Sequence, residues 1–362
     1  MKRLRVASIR VRPLAAPLRA SFEIAGGALE RVRNILVVAR LSDGTLGWGE
    51  GAPFEAYNGE TQAQALKAAR KAAGWLAGFA ADRHQALSDE LSSKVPCASA
   101  RAALEMAVLD AWARSRGIPL RAYFGGAGAR VSTDMTVPIV SCEAAARLGR
   151  GIRRFGIVAL KVKVGREAAS DAERVAAAVG AAKPRTLIVD GNGGYSPKEA
   201  LRFLRLLARR GIRPDIFEQP AARDELESLA EIARKGKVRV AADESASCAA
   251  DVLRLAKRKA AQVVNVKFMK NGIRGAWETA RAARSAGLGL MIGGNVESHL
   301  SMACAAHFAA GFGDFSFVDL DTPLLLAKDP MRGLRIKRGG LYDLSRVRAG
   351  IGVSPIQAGV SR

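Results

Sequence analysis

The sequence predicts an α/β protein: a parallel barrel of eight strands alternating with helices, preceded by a smaller α+β domain. Three observations lead there. From about residue 131, short apolar runs recur with amphipathic, Ala/Arg-rich stretches between them. Almost every run ends in polar residues. The first 125 residues have a different texture, strand-like and then helical. A barrel of this kind takes roughly 200–250 residues, so a chain of 362 residues has room for a second domain.

The elements follow in order. Leu4, Val6, Ile9 and Val11 alternate, with one slip, against Arg3, Arg5, Arg10 and Arg12, as in a strand. RNILVVARLSDG and TLGWGEGAPF supply two more strands around an Asp43-Gly44 turn, making residues 1–57 a three-stranded meander. Residues 60–125 are rich in Ala and Leu at helical spacing and complete a capping domain over 1–125. The barrel strands, within 126–327, are STDMTVPIV, GIVALKVKVG, RTLIVDGN, RPDIFEQP, VRVAADES, AQVVNVKFMK, LGLMIGGNVES and FSFVDLDTP. A doubly wound open sheet is the alternative, but it would gather polar strand ends at one switch point rather than at nearly every strand. Residues 328–362 carry LRIKRGGLYDL and little helix, and are expected to return to the first domain.

Composition narrows the function. With 49% hydrophobic and 25% charged residues the chain is ordinary globular material. Its start has no unbroken apolar stretch of the secretory kind and no run of 18 apolar residues occurs, so a cytoplasmic protein without a membrane partner is expected. Four cysteines without CxxC spacing and three histidines argue against a zinc or disulfide framework. No GxGxxG follows a strand and no Walker A sequence occurs, which leaves nucleotide cofactors unsupported. The net charge of +23 is spread along the chain, and 6% aromatics offer little for base stacking. That argues against a nucleic-acid partner and for an Arg-rich solvated surface that steers anionic substrates. Further copies of the chain are expected as partners.

The polar strand ends carry the chemistry, because in such a barrel they converge on one mouth. The second strand ends in Lys161 and Lys163, on one face by alternation, and two inward lysines require anions nearby. Asp190, Glu218 and Asp243 end the next three strands, one carboxylate per βα unit. Hard oxygen ligands without His or Cys favour Mg²⁺, with Asn192 and Glu244 placed to orient them. Lys267, on the sixth strand, lies across the barrel from the second. Two lysines flanking a metal-bound carboxylate suit proton abstraction at the adjacent carbon. The base must then be an uncharged amine, which burial, a neighbouring lysine and the metal all favour. Singly, each residue has a plainer reading: a strand-end Asp is often a helix cap, and a lone Lys a surface side chain.

Taken together, GWGEGAPF, ALEMAVLDAWARSRGIPLRAYFGG, LKVKVG, VDGNGGYS, FEQP, ADES and NVKFMK, in this order from about residue 20 to 325, resemble the enolase superfamily in its muconate-lactonising-enzyme subgroup. The resemblance implies a modified TIM barrel, (β/α)7β, under a capping domain built from both chain ends, with one Mg²⁺ per subunit held by Asp190, Glu218 and Asp243. It implies Lys163 and Lys267 as the acid/base pair and Lys161 as the lysine that assists the carboxylate and tunes Lys163. Asp319 and Asp321, in FVDLDTP, resemble the DxD motif with which dipeptide epimerases hold the substrate ammonium, and by alternation they share one strand face. Thr136 and Glu297 are further pocket candidates. The family's Ala-Glu epimerases place an arginine near residue 27, where this chain has Gly26-Gly27, so Ala-Glu specificity is not implied. Glu55, in the loop GAPFEAYNG, could face a polar side chain or only solvent. The reading is thus dipeptide epimerisation, L,L to L,D. Cycloisomerisation, β-elimination or o-succinylbenzoate synthesis on the same scaffold, or a basic nucleic-acid-binding protein on a decayed barrel, remain the alternatives.

Overall fold

The structure, a computed structural model, describes residues 4–24 and 27–356. Arg3 of the opening alternation, Gly26 of the glycine pair and the last six residues lie outside them. The chain begins with strands β1 (Val6–Ile24), β2 (Gly27–Leu41) and β3 (Leu46–Gly51), which form an antiparallel sheet in that order. β1 carries Pro13 and Pro17, which its edge position tolerates because a proline has no N–H for a second neighbour. Helices α1 (Glu55–Asn58), α2 (Gln62–Leu76), α3 (His84–Lys94), α4 (Ala98–Ser115) and α5 (Leu120–Tyr123) complete the cap. The GWGEG segment of β3 lies flat on α4. A Cβ on Gly49 would fall 2.0 Å from the Ala103 carbonyl oxygen, and one on Gly47 would fall 2.2 Å from the Ala111 nitrogen. These glycines serve close strand–helix approach.

A short strand, β4 (Arg130–Ser132), leads into the barrel. Its units are β5 (Met135–Val137) and α6 (Cys142–Phe155), β6 (Ala159–Lys163) and α7 (Ala168–Ala182), β7 (Thr186–Asp190) and α8 (Pro197–Ala208), and β8 (Ile216–Glu218) and α9 (Leu226–Gly236). They continue with β9 (Val240–Ala242) and α10 (Ala249–Lys257), β10 (Val263–Val266) and α11 (Phe268–Ser285), β11 (Gly289–Ile292) and α12 (His299–Phe312), and end at β12 (Phe315–Val318). All eight strands are parallel and pair in sequence order. The first and last meet where Asp134 N–H donates to the Val318 carbonyl at 2.8 Å, so the sheet curls back on itself. Among the described residues no helix is long and apolar enough to cross a membrane.

The barrel interior shows why the site lies where it does. Ile188, Ile216, Ala241, Val263, Met291 and Phe317 form one buried apolar cluster. Two residues further along the chain, on the strands or just past their ends, stand Asp190, Glu218, Asp243, Asn265, Gly293 and Asp319. The period of two puts these in a second layer directly above the first. The polar layer lies on the side of the strand C-termini, toward the cap.

After β12 the chain forms β13 (Met331–Gly333), which pairs with β15 (Val353–Pro355), and β14 (Leu341–Asp343), which pairs with β4. This segment reaches the cap at α4, where Asp110 accepts from Ile351 N–H at 2.8 Å and Arg114 donates to the Val353 carbonyl at 2.9 Å. Cap and barrel are also joined by Glu50 of β3. This fully buried carboxylate accepts from Asn34 at 2.7 Å and from Ser298 N–H, at the start of α12, at 3.0 Å.

Candidate active site

A small cavity of about 40 Å³ lies over the polar layer, lined by Lys161, Lys163, Asn192, Lys267, Asp319, Asp321 and Thr136 from the barrel and roofed by Phe22, Phe54 and Tyr57 from the cap. Asp190, Glu218 and Asp243 are fully buried beneath it. Register explains their approach: Lys163 pairs with Asp190, and Asp190 with Glu218, across neighbouring strands. Asp243 and Lys267 each stand one residue beyond their strand, and Lys267 immediately precedes α11 without a side-chain cap bond.

The lysines are matched to these acids. Lys161 Nζ lies 2.9 Å from Asp190, 2.8 Å from Glu218 and 2.6 Å from Asp319. Lys163 Nζ donates to Asp190 at 2.6 Å and to Asn192 Oδ1 at 3.1 Å. Lys267 Nζ donates to Asp243 at 2.7 Å from the other end of the arc. Burial would lower the Lys161 and Lys267 ammonium pKa values, but the facing carboxylates outweigh it and raise both. With no cation bound, carboxylate charge therefore favours the ammonium form of Lys161 and Lys267 over the opposing contribution of burial. Burial likewise raises Asp190, yet Lys161 and Lys163 bring it down to about 2. Asp243, despite burial, is held well below the carboxylate range by Lys267 and Lys270. Glu218 goes the other way, to about 7, through burial and the charge of Asp190.

The donor set fits a hard divalent cation. It is all oxygen, lies on three adjacent strands, and is fully buried. Glu218 Oε2 has an ion pair with Lys161 but no hydrogen bond, leaving acceptor capacity unused. The three carboxylates are nonetheless not gathered tightly, because Lys161 bridges Asp190 and Glu218. Among the described residues, the acidic group that brings one oxygen from each member within 4.8 Å of the others is Asp134, Asp319 and Asp321.

Other expected residues fall into place with two corrections. Asn192 lines the cavity and joins Lys163 to Glu244, donating to Glu244 Oε1 at 3.2 Å. Thr136 lines the wall, and its N–H donates to Asp321 at 2.6 Å. Asp319 and Asp321 do not share a strand face: β12 stops at Val318, Asp319 N–H makes one last bond to the Ile292 carbonyl at 2.8 Å, and Asp321 precedes a 3₁₀ turn opened by Thr322-Pro323. The backbone of Asp321 is in the helical region, φ −85° and ψ −13°, so the chain has left extension there, yet both carboxylates still line the cavity. Glu297 is outside the lining; its carboxylate turns back to accept Asn295 N–H at 2.6 Å.

Several site residues went unmarked by the motifs. Asn265 donates to Glu218 Oε1 at 2.7 Å; the same alternation that marked Asp190 would have found it. Tyr57 donates to Asp243 at 3.1 Å and stacks on Lys267 Nζ, 4.5 Å from the ring centre. No spacing rule links this cap loop to the barrel. Lys270 is buried behind Asp243, donating to the carbonyls of Asp243 and Asn265 at 2.6 Å each and of Ala246 at 3.1 Å.

A capped parallel barrel with a lysine-flanked acidic arc at its mouth defines a two-domain enzyme of the enolase class. The chain belongs to the mandelate racemase/muconate lactonizing enzyme family. The family's N-terminal domain matches residues 6–125, and the enolase C-terminal domain-like model matches residues 143–358. An L-Ala-D/L-amino acid epimerase of Populus trichocarpa is 43% identical over 92% of this chain and 81% of its own length. An aromatic dipeptide epimerase of Herpetosiphon aurantiacus is 41% identical over 96% of this chain and 98% of its own. The solved dipeptide epimerase of Enterococcus faecalis, complexed with Mg and L-Leu-L-Tyr, superimposes with a TM-score of 0.92 at 28% identity, covering 98% of this chain and all of that one.

Proposed function

We propose that this enzyme epimerises dipeptides, L,L to L,D, by 1,1-proton transfer at the α-carbon beside the free carboxylate, with one Mg²⁺ per subunit. The observation that carries the reading is the placing of Lys163 and Lys267 at opposite ends of the acidic arc, on β6 and just after β10. One lysine removes the proton from one face and the other returns it on the opposite face, which inverts the centre. Lys161 balances the acids and lends positive charge to the substrate carboxylate. Asp190, Glu218 and Asp243 would hold Mg²⁺. The bound ion would offset the second negative charge that develops on the carboxylate as the proton leaves.

Asp319 and Asp321 receive the N-terminal ammonium, and Thr136 N–H holds Asp321 in place. The roof is apolar, with Phe22, Phe54 and Val296, and the lining contains no arginine among the described residues. It therefore suits an apolar side chain better than a glutamate. The name of the aromatic dipeptide epimerase of Herpetosiphon aurantiacus supports this.

The test is incubation of a dipeptide library with the protein and Mg²⁺ in D₂O, followed by NMR. Deuterium at the C-terminal α-carbon of apolar dipeptides is expected, and its absence with every dipeptide refutes the reading. Asp319→Ala distinguishes the competing reactions: it abolishes dipeptide turnover, whereas cycloisomerisation or elimination of an amine-free carboxylate would survive it.

A further inference from the structure

Beneath Asp319 and Asp321, outside the lining of the cavity itself, stands one acid more than a two-aspartate clamp requires. Asp134, just before β5, is 1% exposed, and neither of its carboxylate oxygens has a hydrogen-bond partner. One of its oxygens lies within 4.8 Å of an oxygen of Asp319 and of an oxygen of Asp321. Asp319 is engaged by Lys161 at 2.6 Å and Asp321 Oδ2 by Thr136 N–H at 2.6 Å, but Asp321 Oδ1 is also without a partner. A buried carboxylate with no donor is too costly to keep ionised. Burial, then the charges of Asp319 and Asp321, push the Asp134 carboxyl well above its usual range. A protonated carboxyl is a donor, and Asp321 Oδ1 is an acceptor lacking one.

We propose that Asp134 is a positioning residue for the substrate ammonium: it keeps its proton, donates it in a hydrogen bond to Asp321, and thereby fixes both the geometry and the charge of the clamp. With that proton in place, Asp319 is balanced by Lys161, and Asp321 offers one negative charge to one ammonium. Without it, three carboxylates would share a single lysine and favour a second metal ion over an amine. The same residue thus makes the cage selective for a monovalent organic cation. This inference rests on the dipeptide reading and extends it to a residue that touches no substrate.

Steady-state kinetics of Asp134→Ala and Asp134→Asn with the best dipeptide test it, alongside titration calorimetry of the native protein with Mg²⁺. Asp134→Ala is expected to raise KM about tenfold or more, the worth of a hydrogen bond to a charged group, with kcat changed by no more than about threefold. Asp134→Asn keeps an N–H donor and should stay within about threefold of native in both constants. The proposal is overturned by an unchanged KM in Asp134→Ala, by a fall confined to kcat, by damage in Asp134→Asn, or by two Mg²⁺ bound per chain. If Asp134→Ala does not fold, Asp134→Asn decides alone. An inactive native protein would overturn the dipeptide reading itself, and so is distinct from failure of the Asp134 variants on an active enzyme.

Discussion

Acidification should weaken this protein through one histidine far from the site. His307, on α12, is fully buried; its Nδ1 accepts Arg121 N–H at 3.0 Å, and its Nε2 lies 3.1 Å from the Ile351 carbonyl. The ring is therefore neutral with its proton on Nε2, and a second proton would face the Arg121 N–H. Burial, reinforced by the Arg121 charge, lowers its pKa to about 4. In the unfolded chain the value is about 6.5. The unfolded state binds the proton first as pH falls, so the stability is complete above pH 6.5 and is lost toward pH 4. Between pH 7.5 and pH 4.5 the loss amounts to about 2.5 kcal/mol for this group. Urea unfolding of the native protein and of His307→Gln at both pH values isolates it, because His84, whose pKa burial also lowers to about 4, contributes equally to both proteins. A difference between their pH dependences below about 0.5 kcal/mol would refute the assignment of a neutral, doubly bonded ring.

Three further outcomes test the site. Lys163→Ala and Lys267→Ala should each lower epimerisation by about 10²–10⁴-fold, while one variant still exchanges the α-proton of a single enantiomer; full epimerase activity in either excludes a two-base scheme. Lys270→Met removes the ammonium that ties Asp243 to the Ala246 and Asn265 carbonyls, and should cost about 3–5 kcal/mol in urea unfolding along with weaker Mg²⁺ binding by calorimetry. Unchanged stability would mean that this cage is not rigid. Chelation by EDTA should stop deuterium exchange and added Mg²⁺ should restore it; exchange persisting in EDTA would exclude the proposed cofactor.

The barrel was legible because its strands announce themselves twice, by apolar runs and by the polar residues that end nearly every one. Lys161, Lys163, Asp190 and Glu218 lie on regular strand, where a period of two dictates the facing side, and alternation was sufficient. It failed for Asp319 and Asp321, since the chain leaves the extended conformation at Asp321, just past β12. Glu297 was misplaced because an acid in a loop can satisfy a nearby backbone N–H as readily as a ligand. The lysine charge state depends on counting every carboxylate within reach, which spacing along the chain cannot do. Tyr57 and Asp134 act across 186 and 185 residues, respectively, through contacts with Asp243 and Asp319, separations that no local pattern encodes.

The roof over the cavity is a small apolar island. Phe22, Val32, Val296 and Leu326, with Leu29 and Phe54 against them, form a cluster separate from the two large cores of barrel and cap. Changes within such an island are energetically independent of the distant barrel floor. Substrate preference can therefore drift with the residues of one hairpin and one loop, while the lysines and acids beneath keep their spacing. A scaffold divided in this way can diversify its diet without relearning its chemistry.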